Sequence, residues 1–290
     1  MLVKTLLFKI SPKLLASIEY YHVFKRRLRW NKPLDINEKI NWLKFNSDTS
    51  LWSVLADKYR VRDYIENKGL GDMLVKLYGK WDSANEIDWD SLPDRFVMKV
   101  NNGSGDILVC RDKSMLNQQK VLCDFEGLLK KRFNNQNSEP HYQSMPPCII
   151  AEELLDCTKQ PIETSSLIDY KIWCFNGKPH HVWVCYNRTP TSVEVGTYDL
   201  DWNYHPECSV FTSHYRESKY RIPKPESLQK MLEAAAILSE GIPQVRVDLY
   251  EVGGKPYFGE MTFTSAGGFM DFYTDEFLEE MGSHVELPTK

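Results

Sequence analysis

The chain has 290 residues, 42% of them hydrophobic and 26% charged, a composition typical of a globular protein with two or three subdomains. Its formal net charge of −4 gives no reason to expect a nucleic acid as partner. The seven cysteines include no CxxC pair, so they indicate neither a disulfide framework nor a zinc site. A reducing cytosol is therefore the expected location.

The first thirty residues, MLVKTLLFKISPKLLASIEYYHVFKRRLRW, mix leucines with lysines and end in a basic cluster. The apolar run is too short and too interrupted to span a bilayer, and it lacks the features of a signal peptide. Two interpretations remain open. The segment is either a basic amphipathic helix at an anionic membrane surface, which would place a cytoplasmic protein at the inner face of the membrane, or a helix packed on the protein body.

Residues 36–68 carry apolar side chains at helical spacing, and Gly69 and Gly71 end that pattern. Strands are expected at 73–79, 95–100 and 106–111, followed by a helix at 116–133 and a buried strand in PPCIIAEELL. LIDYKIWCFNGKPHHVWVCYNR alternates around Asn-Gly and predicts a β-hairpin. A helix in SLQKMLEAAAILSEGI precedes a second hairpin, VRVDLYEVGGKPYFGEMTF. The order predicts an α+β fold with much antiparallel pairing.

A glycine-containing loop follows the strand expected at 95–100, in FVMKVNNGSGDILVC. Glycines allow a backbone whose N–H groups cradle an anion, and Lys99 beside them supplies a charge for phosphate. The alternative interpretation of the same residues is an ordinary β-hairpin with an Asn-Gly turn.

The second hairpin contains two acids, Asp248 and Glu260, among apolar neighbours. A two-residue Gly-Gly loop would pair Asp248 with Gly259, whereas a three-residue loop over 253–255 pairs Asp248 with Glu260. We expect the three-residue loop, which places Arg246, Asp248, Glu260 and Thr262 on one face. Two opposed carboxylates require a cation between them, and Mg²⁺ bound by acids and phosphates satisfies that requirement. A solvent-facing acid pair is the alternative.

Six motifs in order resemble the TupA-like ATP-grasp family: NEKINWLKFNSD, LADKYRVRDYI, FVMKVNNGSGDILV, DYKIWCFNGKP, DLDWN and VRVDLY…YFGEMTF. The similarity covers roughly residues 30–282. It implies an ATP-grasp fold, in which two α+β subdomains grip ATP, preceded by a helical N-terminal segment. The implied division is 1–50 for that segment, 51–155 for the part that includes the lid with the glycine loop, and 156–290 for the C-terminal subdomain with the metal hairpin.

The resemblance also implies nucleotide contacts. Arg62 and Lys99 are expected to contact the phosphates. The loop over the phosphates contains Asn102, Gly103, Ser104 and Gly105. The adenine hinge contains Glu152, Glu153, Leu154 and Leu155.

The remaining implied roles lie in the C-terminal part. Asp169 matches a ribose-binding acid, Lys171 a γ-phosphate contact, and Arg246 the group that stabilises the transferring phosphoryl. Asp248 and Glu260 match the metal ligands, and Thr262 stands where the superfamily has asparagine. The sequence thus predicts that Lys99 and the two metal-binding acids converge on one triphosphate.

By the same resemblance, the chain is expected to be an ATP- and Mg²⁺-dependent carboxylate–amine ligase acting through an acyl phosphate. Its expected substrates are an amino acid or amine and a uronic acid of a capsule, O-antigen or teichuronopeptide precursor, which is free, nucleotide-linked or lipid-linked. A sugar kinase, a nucleotide-binding module without chemistry, and a glycosyltransferase using Asp199-Leu200-Asp201 remain alternatives. The run 265–268 is either a carboxylate-binding loop or a simple turn. His180, His181 and His205 are expected to be structural or rim residues, with an acceptor pocket lined by His180 or His181 as the alternative.

Overall fold

The computed structural model describes residues 2–103, 105–131 and 138–288. Ser104, one of the predicted loop residues, lies outside the described residues. The α-helices of the described chain are α1 Leu2–Ile10, α2 Pro12–Phe24, α3 Ile36–Asn46, α4 Ser50–Leu55, α5 Val61–Asn67, α6 Gln118–Lys130, α7 Leu228–Leu238 and α8 Asp275–Ser283. The β-strands are β1 Leu77–Trp81, β2 Phe96–Val100, β3 Ile107–Cys110, β4 Ile149–Glu153, β5 Asp169–Phe175, β6 Lys178–Tyr186, β7 Val193–Tyr198, β8 Tyr215–Glu217, β9 Gln244–Val252 and β10 Lys255–Thr262.

These elements form two compact units. Among the described residues, the smaller unit takes 50–103, 105–131 and 140–155. The larger takes 2–49, 138–139 and 156–288, so the N-terminal helices α1–α3 belong to the same unit as β5–β10.

The smaller unit is built on an antiparallel sheet of order β1-β4-β2-β3. Along β2, Phe96, Met98 and Val100 are buried in a core with Val121 and Phe125 of α6. Side chains alternate between the faces of a strand, so the lysine between Met98 and Val100 lies on the face opposite this core.

The larger unit is built on a six-stranded sheet of order β10-β9-β5-β6-β7-β8, in which the β7–β8 pair is parallel and the others antiparallel. The central strands β5 and β9 are buried along nearly their whole length. Charged groups on these strands must therefore have partners inside the protein.

The N-terminal helices pack on the larger unit. Ser11 caps α2 by accepting from Leu14 N, and Leu15, Ala16 and Tyr20 are buried. The Tyr20 hydroxyl donates to Asp35 Oδ2 at 2.8 Å, and Asp35 in turn caps α3. In the part of the chain that the structure describes, no helix has the length and apolar character needed to cross a membrane.

The helical pattern of 36–68 forms three helices rather than a continuous one. Ser47 ends α3, and a turn at Asp57 separates α4 from α5. Asp57 Oδ1 accepts from the N–H groups of Tyr59 and Arg60, and its Oδ2 accepts from Asn101 Nδ2 at 2.7 Å. An aspartate that binds the backbone two and three residues ahead favours a turn over helix continuation.

The expected three-residue loop of the second hairpin is wrong. Val252 pairs with Lys255, so the loop is the two-residue Gly253-Gly254, whose φ angles of 60° and 72° suit a tight hairpin turn. Asp248 nevertheless pairs with Glu260, because the register shifts by one residue between Phe258 and Glu260. Gly259 is the extra residue of this β-bulge, which restores the pairing that a Gly-Gly loop alone would lose.

The bulge at Gly259 should tolerate no side chain. A Cβ there would lie 2.9 Å from Asp248 O and 3.0 Å from the Tyr250 ring. We expect Gly259→Ala to lower the free energy of unfolding by about 1–3 kcal/mol, measured by urea denaturation. Gly127→Ala is the control, since a Cβ on that α6 residue meets nothing within 4 Å and alanine favours a helix. Equal stability of the Gly259→Ala protein and the wild type would contradict this account of the bulge.

Candidate active site

A buried carboxylate lies at the centre of the larger unit's sheet. Asp248 on β9 is 1% exposed and pairs in register with Lys171 on β5. Lys171 Nζ lies 2.5 Å from Asp248 Oδ2, and Arg246 donates from Nε to Oδ1 and from Nη2 to Oδ2, each at 2.7 Å. Both oxygens of this acid are thus held by cations, an arrangement that offsets the cost of burying its charge.

Glu260 and Thr262 lie on the neighbouring strand β10, next to the same arginine. Arg246 Nη2 lies 3.7 Å from Glu260 Oε1 and donates to Thr262 Oγ1 at 3.2 Å, while Thr262 donates to Glu260 at 3.3 Å. The cation between the opposed acids is therefore the guanidinium of Arg246. Arg246 Nη1 also donates to Ser265 Oγ at 2.6 Å, which ties the cluster to the 265–268 loop.

Asp169, the predicted ribose-binding acid, continues this cluster. Its Oδ2 lies 3.4 Å from Lys171 Nζ and 3.3 Å from Arg188 Nη2. The charge of Asp169, followed by burial, raises the pKa of Tyr250 well above its usual range, so this phenol keeps its proton. Sequence reasoning missed Tyr250 and Arg188. The position of Tyr250, two residues after Asp248 on the same strand face, was a usable signal for the tyrosine.

The two cations of the cluster stay charged at neutral pH. Burial alone lowers the pKa of Lys171, but Asp169 and Asp248 outweigh burial and raise it above the usual lysine range. For Arg246 burial is likewise outweighed, chiefly by Asp248, and its pKa is raised. A fixed pair of positive groups beside acids suits the binding of phosphate oxygens.

The smaller unit has a second cluster of this kind. Glu152 on β4 accepts from Arg62 Nη1 at 3.2 Å and lies 2.6 Å from Lys99 Nζ. Lys99 and Glu152 occupy the same sheet face because Lys99 pairs with Ile150 and Val97 with Glu152. Arg62 Nη2 donates to Val75 O at 2.9 Å, which fixes the guanidinium. Glu152 thus holds the two predicted phosphate-binding cations, and its predicted contact with adenine stays a prediction.

The predicted glycine loop follows β2. Lys58 Nζ donates to Gly103 O at 2.6 Å, Asn102 is buried, and Gly105 has a φ of 83° that favours glycine. Asp106 lies 2.9 Å from Lys131 Nζ, so its charge has a cationic partner on the surface.

The predicted adenine hinge leaves the sheet at the end of β4. There, Glu153 is exposed, Leu154 is half-buried and Leu155 is buried. The nucleotide contacts of the glycine loop and of the hinge stay predictions, as does the convergence of Lys99, Asp248 and Glu260 on one triphosphate.

The 265–268 run has an unusual backbone that α3 supports. Ala266, Gly267 and Gly268 have φ angles of 47°, 69° and 80°. Asn41 Nδ2 donates to Gly268 O at 2.9 Å, and Lys44 Nζ donates to Gly267 O at 2.8 Å.

One turn earlier on α3, Asn37 exchanges two hydrogen bonds with the backbone of Met270. Asn37, Asn41 and Lys44 form a buried polar stripe at i, i+4 and i+7 of α3. We call this stripe the α3 clamp. The apolar spacing of this segment gives no indication of the clamp, so these three residues were not among the predicted site residues.

The Asp-x-Asp motif considered for a glycosyltransferase lies in a turn. Asn203 donates from its backbone N and from Nδ2 to the two oxygens of Asp199, each at 2.7 Å, and His205 Nε2 lies 3.3 Å from Oδ2. Asp201 is exposed. These contacts indicate an Asx-type turn closed by Asp199.

The donor chemistry of the β9–β10 hairpin fits Mg²⁺. Asp248, Glu260 and Thr262 offer oxygen atoms only, as this hard cation prefers, and Glu260 is 37% exposed. If Mg²⁺ were bound there, Asp248 would have to share its charge between the metal and its two cationic neighbours.

A family model described as TupA-like ATP-grasp matches residues 38–286. Curated proteins give no match. D-alanine–D-alanine ligase from Bacillus anthracis, solved with ATP, is 13% identical, with 72% of this chain and 55% of that chain covered and a TM-score of 0.41.

Two further solved structures are similar at the same level. The D-alanine–D-alanine ligase from Helicobacter pylori is 11% identical, with 87% and 69% covered and a TM-score of 0.42. Phosphoribosylamine–glycine ligase from Thermotoga maritima is 10% identical, with 76% and 52% covered and a TM-score of 0.44. The chain therefore spans little more than half the length of the Bacillus anthracis and Thermotoga maritima enzymes.

The α3 clamp generates a pH-dependent prediction. Burial lowers the pKa of Lys44 to about 7, although the charge of Glu139 opposes this shift. Between pH 7 and the ordinary lysine range the unfolded chain then carries a proton that the folded chain lacks, so stability rises with pH in that window. We expect Lys44→Met to remove a rise on the order of 3 kcal/mol from urea unfolding measured between pH 7 and 10. Lys230→Met, at an exposed lysine of α7, is the matched control. Parallel pH profiles for wild type and Lys44→Met would refute a lowered Lys44 pKa.

Proposed function

The chain belongs to the TupA-like ATP-grasp family, whose model spans most of its length, and from this premise we propose that it is an ATP-dependent ligase that joins a carboxylate to an amine. The membership confirms the resemblance drawn from the six motifs and the α+β ATP-grasp fold predicted with it. The observation that carries the proposal is the pair of acid-held cation clusters, Lys171 and Arg246 around Asp248 and Arg62 and Lys99 around Glu152.

The proposed reaction has two steps. A substrate carboxylate oxygen attacks the γ-phosphorus of ATP, which breaks the bond to the β-phosphate bridge and gives an acyl phosphate and ADP. An amine nitrogen then attacks the acyl carbon, phosphate leaves with the bonding electrons, and the amine loses a proton to form the amide.

The charged side chains have separate proposed roles in these steps. Lys171 and Arg246 neutralise the transferring phosphoryl group, and Lys99 and Arg62 bind the remaining phosphates. Asp248, Glu260 and Thr262 would hold Mg²⁺, which supplies charge neutralisation on the phosphate oxygens. No nucleophilic side chain is required, in keeping with a cluster composed of acids and cations.

We propose that the substrates are an amine or amino acid and a uronic acid of a bacterial surface polysaccharide precursor. The support is the TupA-like family name and the carboxylate requirement of the reaction. The alternative glycosyltransferase is disfavoured because Asn203 and His205 already engage Asp199 of its Asp-x-Asp. The kinase alternative uses the same ATP site and differs in forming ADP without an amine.

The activity is tested by measuring ADP formation from ATP and Mg²⁺ with a panel of uronic acids, with and without amino acids. Amine-dependent ADP and amide formation supports the ligase, and ADP formation with a neutral sugar and no amine would support the kinase. We expect Asp248→Asn and Glu260→Gln to lower kcat at least ~100-fold, since each removes an acidic ligand of the proposed Mg²⁺. Asp201→Asn, in the exposed turn, is the matched control. Loss of activity in Asp201→Asn together with full activity in Asp248→Asn would overturn the assignment.

We also propose that the protein works at an anionic membrane surface. On α2, Leu14, Ile18 and Tyr21 follow helical spacing and are 50%, 44% and 57% exposed. Residues 1–32 contain eight lysines and arginines and one acid, Glu19. An exposed apolar stripe among basic residues complements anionic lipid, and such a position would serve a lipid-linked substrate.

The lipid assignment predicts sedimentation of the protein with vesicles that contain anionic lipid, weaker at high salt and absent with neutral vesicles. Ile18→Glu should reduce the bound fraction several-fold, whereas Ile237→Glu, at a 40% exposed residue of α7, should not. Size-exclusion chromatography distinguishes a rival occupant. A dimer converted to a monomer by Ile18→Glu, without any vesicle binding by the wild type, would assign the stripe to a second copy of the chain.

A further inference from the structure

Two histidines and a glutamate converge at a place that the proposed ATP chemistry does not use. His180 lies on β6, Glu280 lies in the last turn of α8, and His284 follows that helix directly as its C-cap residue, four residues after Glu280. His180 Nε2 is 2.9 Å and His284 Nε2 is 2.8 Å from the same oxygen, Glu280 Oε1. One ligand atom from each of the three residues lies within 4.8 Å of the others.

Neighbouring side chains fix the orientation of the two imidazole rings. His180 Nδ1 lies 3.0 Å from Nδ1 of the buried His181, so the contact with Glu280 is left to Nε2. The His284 ring stacks on Phe175 at 5.9 Å and 17°, and its carbonyl accepts from Asn176 Nδ2 at 2.6 Å. Such outer contacts on histidine rings orient metal ligands in known sites.

A second histidine–acid group in the same unit shows what distinguishes this one. His205 contacts Glu207 at 2.7 Å and Asp199 at 3.3 Å, which gives one imidazole and two acids spread on opposite sides of its ring. Over residues 2–103, 105–131 and 138–288, the group of His180, Glu280 and His284 is the one in which three such ligand atoms converge. It offers two imidazole nitrogens, and these favour a transition metal over Mg²⁺.

We propose that His180, Glu280 and His284 bind a divalent transition metal of the zinc class, with water completing a four-coordinate site. Two histidines and a carboxylate are a known zinc donor set. The side chains are 25%, 43% and 44% exposed, so an ion can reach them from solvent. Because the ligands come from β6 and from α8, the bound ion fastens the C-terminal helix to the sheet.

Coordination also defines the proton positions. His180 binds through Nε2 and keeps its proton on Nδ1, which donates a hydrogen bond to Nδ1 of His181. Glu280 exchanges its two imidazole contacts for the metal, so its carboxylate keeps a partner. The same three side chains otherwise form a hydrogen-bonded His–Glu–His group, and the experiment must separate these two explanations.

The test is calorimetric titration of the full chain, stripped with EDTA and dialysed, with ZnCl₂ in excess Mg²⁺. We expect one saturable site, weakened at least ~10-fold in His180→Ala and in His284→Ala. His205→Ala is the matched control and should bind as the wild type does. Zinc should also raise the Tm of the wild type and the control but not of the two site variants, because binding to the folded state stabilises it.

Cobalt substitution identifies the donor atoms, since exposed cysteines such as Cys123 also bind soft metals. The expected Co²⁺ spectrum has tetrahedral d–d bands without thiolate charge-transfer bands, and the d–d bands disappear in His180→Ala. Thiolate bands, the absence of a saturable site, or equal affinity in wild type and both site variants would overturn the proposal. Circular dichroism of each variant verifies that a loss of metal binding is not caused by a loss of folded structure. If a variant unfolds, Glu280→Gln replaces it and should show the same weakening.

Discussion

The larger unit is organised around one buried negative charge. Asp248 sits in a strand that is buried along nearly its whole length, and its charge is tolerated because Lys171 and Arg246 bind both of its oxygens. The two cations come from different places, one across the β5–β9 pair and one two residues away on β9. Removal of either would leave an uncompensated charge in the sheet, which typically costs several kcal/mol. The pairing register of β5, β9 and β10 therefore has to keep Asp248 next to its cationic partners.

The parts of the fold that could be predicted from the sequence are local ones. The Asn-Gly turn at 176–177, with φ angles of 49° and 78°, and the helix ended before Gly241 depend on local chemistry, which a sequence shows directly. The pairing of Asp248 with Glu260 was also predicted, but from the wrong loop. A β-bulge has no periodic signal, and Gly259 is identified as the extra residue only by the register of β9 and β10.

The parts that could not be predicted depend on contacts far apart in the chain. The α3 clamp meets the backbone of 267–270 more than 200 residues later, so its polar stripe has no visible partner in the sequence. The partners of Glu152 are similar, since Arg62 precedes it by 90 residues. The family resemblance suggested a nucleotide-binding role for each of these residues, but it did not suggest that Glu152 forms ion pairs with Arg62 and Lys99. Local turn signals such as Asp57 were present in the sequence but were outweighed by the apolar spacing around them.

Each of the two units contains the same kind of charged cluster. In each, a largely buried acid holds two cations, Asp248 with Lys171 and Arg246, and Glu152 with Arg62 and Lys99. The acid fixes cations that would otherwise be mobile, so less side-chain entropy is lost when a phosphate arrives. The same acid also competes with phosphate for those cations. A phosphate therefore binds well only if the acid gains another partner, and the divalent cation that accompanies ATP or a donor group of the nucleotide is a partner of the required charge. If the proposed ATP and Mg²⁺ bind at these clusters, each acid would couple the binding of the nucleotide to that of the metal.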